Sequence, residues 1–244
     1  SREAVEKGMA GLRPELYQQM LSELTAQAQL ADALGYDSIS FTEHHFHVEG
    51  FELSNNPVLL DLYIAMQTKN IRVGQLGIVL PAQNPIRVAE DWAVVDNRAN
   101  GRVAIGFAAG WQPNDFVIRP DGYADAKGQM FRLIDTVKRL WRGETVEFPN
   151  PLGQLVPVRT LPRPVQPELP SWVTVAGNPE TFRMAGEAGE NVLTHLLGQS
   201  VDEVAEKVKI YREARARAGH DPKAGVVTLM LHPFAGASDD EVRE

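Results

Sequence analysis

Apolar residues along the chain follow two rhythms. Leu16, Met20, Leu24, Gln27, Ala31 and Leu34 fall mostly on one face at helical spacing, which predicts a helix over 14–33 that Gly35 ends. Residues 36–42 then alternate as a strand and run into Thr42-Glu43-His44-His45-Phe46. Near-continuous apolar runs at 71–80 and 102–109 fit parallel strands covered on both faces. Further strands are predicted at 172–176, 191–197 and 226–234, six in all. Each except the last is followed by a helical segment: 57–68 with Pro57 behind Asn56, 85–97, 130–142, a short helix from Pro179 behind Asn178, and 201–218 behind the Ser200/Glu203 capping box. Asp239-Asp240-Glu241-Val242 reads as the beginning of one more helix.

Repeated βα units mean a parallel sheet. Closing it as a TIM (β/α)8 barrel takes eight strands, so the barrel reading leaves strands 1 and 8 missing from this chain. The expected organisation is one barrel domain over 1–244, incomplete at both ends, with a long insertion at about 112–170. Its Pro-rich stretch 148–170 excludes a regular helix.

Composition narrows the class of function. The chain has 244 residues, 43% hydrophobic and 23% charged, the profile of a globular protein. Lys and Arg total 24 against 32 Asp and Glu, a net charge of −8 that disfavours a nucleic-acid partner. No apolar run approaches the roughly 20 residues of a membrane span. The absence of cysteine excludes disulfides, thiolate metal sites and a Cys nucleophile. The chain begins at Ser1 without a basic segment and apolar run, so a cytoplasmic protein is expected.

In parallel α/β folds chemistry sits at the carboxyl ends of the strands. Those ends read Glu43-His44-His45-Phe46, Gly77-Ile78-Val79-Leu80-Pro81, Ala109-Gly110-Trp111, Gly177-Asn178 and His195. His44 and His45 point to opposite faces of an extended segment and make a poor chelate. One can be a general acid or base, or both can be packing residues. Gly177-Asn178-Pro179-Glu180-Thr181 is a strand end followed by a capped helix, either an ordinary cap or an anion site. Gly74 and Gly77 inside a strand allow close backbone packing or the approach of a flat ring. Trp111 is core or the wall of an aromatic pocket. Arg87, Glu90 and Asp91 share a helix as a solvated or subunit-contact face. Glu43, His44, His45, Asp115 and His195 match no metal-ligand spacing, so no metal is expected. No Gly-x-Ser-x-Gly elbow, phosphate-binding Walker loop or dinucleotide fingerprint is present.

Taken in order, these strings resemble the bacterial luciferase-like, flavin-dependent monooxygenases. The resemblance rests on Thr42-Glu43-His44-His45-Phe46, Gly77-Ile78-Val79-Leu80-Pro81, Asn84-Pro85-Ile86-Arg87-Val88-Ala89-Glu90-Asp91, Asn100-Gly101-Arg102-Val103 and Val175-Ala176-Gly177-Asn178-Pro179-Glu180-Thr181-Phe182, over about 14–244. Gly110-Trp111-Gln112-Pro113-Asn114-Asp115-Phe116, Arg159-Thr160-Leu161-Pro162-Arg163-Pro164 and Leu193-Thr194-His195-Leu196-Leu197-Gly198-Gln199 are similar to the subgroup of natural-product biosynthesis.

That resemblance implies a luciferase-type TIM barrel binding reduced FMN, supplied by a separate flavin reductase. The reduced flavin reacts with O2 to a C4a-peroxide, which oxygenates a small or carrier-bound substrate. By position it implies His44 as the catalytic histidine and His45 as structural, toward a subunit interface. It implies a non-proline cis bond between Leu76 and Gly77 beneath the flavin ring, and phosphate-binding Gly177, Asn178 and Thr181. Ala109, Gly110 and His195 become flavin neighbours, Trp111 and Glu43 substrate-pocket residues. Ala109 stands where luciferase has an Arg for the phosphate. A homodimer through 57–68 and 85–97 is expected, and loops 47–56, 112–128 and 145–170 are expected to shape the substrate pocket. The competing readings are a non-catalytic flavin-binding protein of this fold and a deazaflavin-dependent oxidoreductase.

Overall fold

Helix starts in this chain are fixed by side chains that take the place of missing backbone acceptors. Asn56, Asn84 and Asn178 accept the N–H groups of Leu59, Ile86 and Glu180, each with proline at the next position. Ser200 and Glu203 close a reciprocal capping box. The computed structural model describes residues 13–46, 55–233 and 235–243. Positions 47–54 of the expected substrate loop and 234 of the last expected strand lie outside them.

The elements are α1 (Pro14–Leu34), β1 (Ser38–Phe41), α2 (Pro57–Gln67), β2 (Arg72–Val79), α3 (Pro85–Ala99), β3 (Val103–Ala108), α4 (Ala126–Arg142), β4 (Val146–Pro149), β5 (Leu155–Val158), β6 (Ser171–Thr174), α5 (Pro179–Glu187), β7 (Asn191–His195), α6 (Val201–Arg217), β8 (Val227–Met230) and α7 (Asp239–Arg243). No helix among the described residues is long and apolar enough to cross a membrane.

The chain forms two compact units, Ser1–Trp172 and Val173–Glu244, with the boundary inside β6. In the first unit β1, β2 and β3 are parallel neighbours: Ser38 stands beside Arg72, Phe41 beside Gln75, and Val73 beside Val103. The unit ends beside β3, where the Ile105 N–H donates to the Pro170 carbonyl at 3.0 Å. Its core packs Ile64, Val73, Trp92, Ile105, Phe107, Met130 and Trp141, each at most 1% exposed. Burying each such side chain is worth about 1.5–3 kcal/mol. In the second unit the Val175 N–H donates to the Leu193 carbonyl, and β7 pairs in parallel with β8. There Phe182, Val192, Tyr211 and Ala214 are fully buried.

All six expected strands are present, and each is shorter than its apolar run. Hydrophobicity follows burial, which continues after the ladder stops: Leu80, Pro81 and Ala82 form a buried 3₁₀ turn beyond β2. The helix expected at 130–142 starts earlier, at Ala126, because its first turn is polar and carries no apolar period. The insertion contains an antiparallel hairpin, with Val146 beside Val158 and Pro149 beside Leu155. Pro149, Pro151 and Pro157 disguise it in the sequence, and proline is tolerated at such unpaired edges.

The cis bond expected between Leu76 and Gly77 is corrected. Among the described residues the cis peptide is Leu161–Pro162, and Leu76–Gly77 is trans. The irregularity at that point is a β-bulge: β2 takes three steps from Gln75 to Ile78 while β3 takes two from Ile105 to Phe107. The bulge brings the Leu76 carbonyl to 2.4 Å from where a Cβ on Gly106 would sit, so only glycine fits there. Gly74 follows the close-packing reading, since a Cβ there would stand 1.6 Å from the Ala104 carbonyl oxygen.

Asp61 on α2 is fully buried and neither carboxylate oxygen makes a hydrogen bond. Burial raises its pKa well above the usual range, with the Gly74 N–H pulling the other way. The unfolded carboxyl ionises near about 3.9, the folded one only at higher pH. The folded protein thus keeps a proton that the unfolded chain releases, and stability falls as pH rises from the unfolded value through the folded one. Asp61→Asn is expected to raise the unfolding free energy at pH 7 by about 1–3 kcal/mol and to gain nothing below about pH 3.9. Urea unfolding across that range reads both, and an equal gain at every pH would contradict the assignment.

Candidate functional site

β2 is held at each end by a carboxylate. At its amino end Asp32 of α1 accepts the N–H groups of Lys69, Asn70 and Ile71 at 2.7, 2.8 and 2.7 Å. Partial burial works against the Asp32 charge, but these three donors outweigh it and lower its pKa. The Arg102 guanidinium reaches the carbonyls of Ala65, Thr68 and Ile71 nearby, closing the end of α2 over the start of β2.

At the carboxyl end the carboxylate is Glu43, 5% exposed. Its Oε2 accepts the Val79 N–H at 2.9 Å. Its Oε1 accepts from Gln83 Nε2 at 2.6 Å and lies 3.0 Å from His45 Nε2. The His45 main-chain N–H donates to Asp115 Oδ1 at 3.4 Å. The hydrogen bond to Glu43 raises the His45 pKa; burial opposes it, and the fields of Glu43 and Asp115 add to it.

Segment 113–123 is fastened over this end of β2. Arg119 donates to the carbonyls of Pro81 and Gln83 at 3.3 and 2.9 Å. A Cβ on Gly122 would come 2.2 Å from the Pro81 carbonyl oxygen. Gly110, at φ 80°, leaves room for the Phe116 ring and Val79, each 2.8 Å from a Cβ built there. A left-handed backbone under an aromatic ring admits glycine alone. Beside the cluster lies a cavity of about 240 Å³ whose lining includes Glu43, His45, Gln75, Gln83, Arg87 and Trp92.

Glu43 and His45 are thus brought together, and half-buried His44 stands between them. Glu43 lines a cavity, but its oxygens are engaged by protein donors rather than open to a substrate. Trp111, at the end of β3, is 71% exposed and so belongs to a surface rather than to the core. Leu76 and Gly77 form the bulge, and Ala109 follows β3 directly.

The second unit carries the other expected group. Asn178 spends its side chain on the Glu180 N–H and Thr181 is buried. Arg183 draws the Glu180 carboxylate sideways at 2.8 Å, off the front of α5. A Cβ on Gly177 would stand 3.6 Å from the Lys207 ammonium and 3.7 Å from Gln199 Oε1. Lys207 donates to that oxygen at 2.7 Å, and Gln199 is itself held by the Ala176 carbonyl and the Thr194 hydroxyl at 3.3 and 3.2 Å. A side-chain-free glycine beside a helix start, with a cation oriented by a fixed amide, is an arrangement from which an anion site can be built. His195, on the end of β7, accepts the Leu197 N–H at its Nδ1.

Sequence reasoning did not assign roles to Gln83, Lys207 or Gln199. A lysine on α6 looks like any solvated helix charge, and its link to Gly177 appears only when β6, α5 and α6 are packed.

Residues 8–244 match the family model described as luciferase-like monooxygenase. The oxygenase component of the flavin-dependent trigonelline monooxygenase of Acinetobacter baylyi is 29% identical over 228 residues, 92% of this chain and 62% of that protein. The chain therefore spans under two thirds of that relative. Among solved structures, the monooxygenase RslO1 of Streptomyces bottropensis superposes with a TM-score of 0.82 at 25% identity, covering 93% of this chain and 69% of that one. The oxygenating constituent of 3,6-diketocamphane monooxygenase of Pseudomonas putida, solved with FMN, gives 0.80 at 23% identity, covering 93% and 65%. The α/β fold is the TIM-like luciferase fold, and among the described residues the parallel strands number six, short of the eight of a closed barrel, as the sequence pattern indicates.

Proposed function

The chain belongs to the luciferase-like monooxygenase family, and from that premise we propose that it is the flavin-binding portion of an FMN-dependent monooxygenase. On this reading a separate reductase supplies the reduced flavin, and the substrate is a small or carrier-bound organic molecule. The observation that carries the reading is the anion cradle of the second unit, whose donor set fits a phosphate monoester. Gly177 leaves the approach clear, Thr181 would add a hydroxyl at the start of α5, and Lys207 supplies a charge. Ala109 leaves the end of β3 without a cation of its own.

Reduced FMN, when bound, supplies the two electrons that reduce O2, one oxygen atom entering the substrate and the other leaving as water. The chain's own residues bind, orient and manage protons. Gly177, Asn178, Thr181 and Lys207 would hold the phosphate. His44 would take or give a proton at its imidazole. Leu76, Gly77, Ala109, Gly110 and His195 would lie beside the flavin, and Trp111 would offer an aromatic face to the substrate. The full-length protein should bind reduced FMN and convert O2 and substrate to an oxygenated product. Binding with release of peroxide alone would mark a flavin-binding protein without oxygenase activity.

Three predictions follow from these roles. In the full-length protein, His44→Ala should lower kcat by roughly 10²–10⁴-fold with FMN affinity unchanged; unaltered turnover would remove His44 from the chemistry. Lys207→Gln should weaken FMN binding roughly tenfold, as expected for loss of a charged hydrogen bond, and leave riboflavin binding unchanged. Fluorescence titration with both flavins reads that difference, and equal losses would contradict a phosphate role. Finally, Leu59, Tyr63 and Met66 recur at helical spacing on α2 yet stay 63%, 39% and 54% exposed, and Val94 of α3 is 46% exposed. This face supports a homodimer. Leu59→Glu should halve the mass in sedimentation, and a wild-type protein that stays monomeric at all concentrations would refute the interface.

A further inference from the structure

β1 ends at Phe41, beside Gln75, while β2 continues to Val79. The register of β1 with β2 ends at the Phe41–Gln75 pair, and a further partner has to come from elsewhere. Glu43 supplies one: its Oε2 accepts the Val79 N–H at 2.9 Å. A side-chain oxygen stands where a strand carbonyl would otherwise be. The main chain at 42–46 leaves the sheet but remains tethered to it.

His44 lies between two tethered residues. Glu43 is tethered through its carboxylate. His45 is tethered through its ring to Glu43 Oε1 at 3.0 Å and through its N–H to Asp115 Oδ1 at 3.4 Å. Alternate residues of an extended segment point to the same side and the one between to the other. Fastening 43 and 45 on one side therefore turns His44 to the opposite one. Gln83 Nε2, at 2.6 Å, uses further acceptor capacity of the same carboxylate. Donors from three places in the chain converge on it at 5% exposure, a level of burial at which an ionised carboxylate persists only with such partners.

We propose that Glu43 is a positioning residue: its carboxylate, held at once by Val79, Gln83 and His45, sets the direction of the His44 imidazole. The proposal rests on the reading of His44 as the proton-handling group. It assigns Glu43 a role through His44, in place of contact with substrate.

The test is a double-mutant cycle in the full-length protein. Glu43→Gln keeps shape and the acceptor for Val79 but sets its amide N–H groups against the Gln83 amide and the His45 ring. It should lower kcat about 10–100-fold with KM and the FMN dissociation constant within about twofold, the pattern of a misdirected catalytic group. In the His44→Ala background the same change should cost nothing further, because the residue it aims is gone. A merely structural role would instead weaken FMN binding and add its loss to that of His44→Ala, and either result overturns the proposal. So does an unchanged kcat in Glu43→Gln. If His44→Ala alone turns over normally, the reading of His44 fails first and this proposal with it. If the losses simply add, that reading stands and this proposal falls. Should Glu43→Gln not fold, Gln83→Leu removes one of the three donors and runs the same cycle, with a smaller loss in kcat expected and the same two outcomes decisive.

Discussion

A parallel strand whose neighbours end before it does carries main-chain N–H groups that must find other acceptors, and that requirement organises the first unit. β2 meets it at Val79 with a carboxylate, and a second carboxylate serves the turn that leads into the strand. Asp32 collects three N–H groups at the amino end, and Glu43 takes one at the carboxyl end. Buried N–H groups are almost never left unpaired, so both acids are built into the ladder's geometry. Their surroundings then diverge. The amino end is closed by Arg102 and the ends of α2 and α3. The carboxyl end adds a histidine, a glutamine and a second acid, gathered around Glu43 and the main chain of His45.

Three carboxylates of this unit show how environment separates identical chemistry. Asp32 lies near the surface with three donors, which outweigh its desolvation and keep it ionised more readily than usual. Asp61 has full burial and no hydrogen bond, so its neutral form is favoured. Glu43 is nearly as buried as Asp61 but fully partnered. A desolvated acid with partners directs its neighbours, whereas one without them only costs stability. That contrast makes Glu43 a residue of the site and Asp61 a defect tolerated in the core.

What the sequence makes legible is local. Asn56-Pro57, Asn178-Pro179 and Ser200/Glu203 announce helix starts because a cap involves residues two or three apart, and all three are made as read. The six strands are legible as apolar runs. Their ends are not, because burial continues through Leu80-Pro81-Ala82 after pairing stops. The hairpin of β4 and β5 is hidden by its prolines. The bulge at Leu76–Gly77 marks the right place for an irregularity, but its form depends on how β3 steps alongside, information that lies some 30 residues away. His44, His45 and the 177–181 turn stand out through position at strand ends. Gln83 and Lys207 do not, since each acts through a partner distant in the chain.

Lys207 shows why family resemblance transfers groups more safely than residues. A phosphate monoester is recognised by charge and by N–H donors, neither of which requires a particular side chain on a particular strand. An arginine after β3 is one source of charge, and a lysine one turn and a half into α6, steered by Gln199, is another. On the proposed reading a search for an arginine alone would overlook the charge that Lys207 brings beside Gly177.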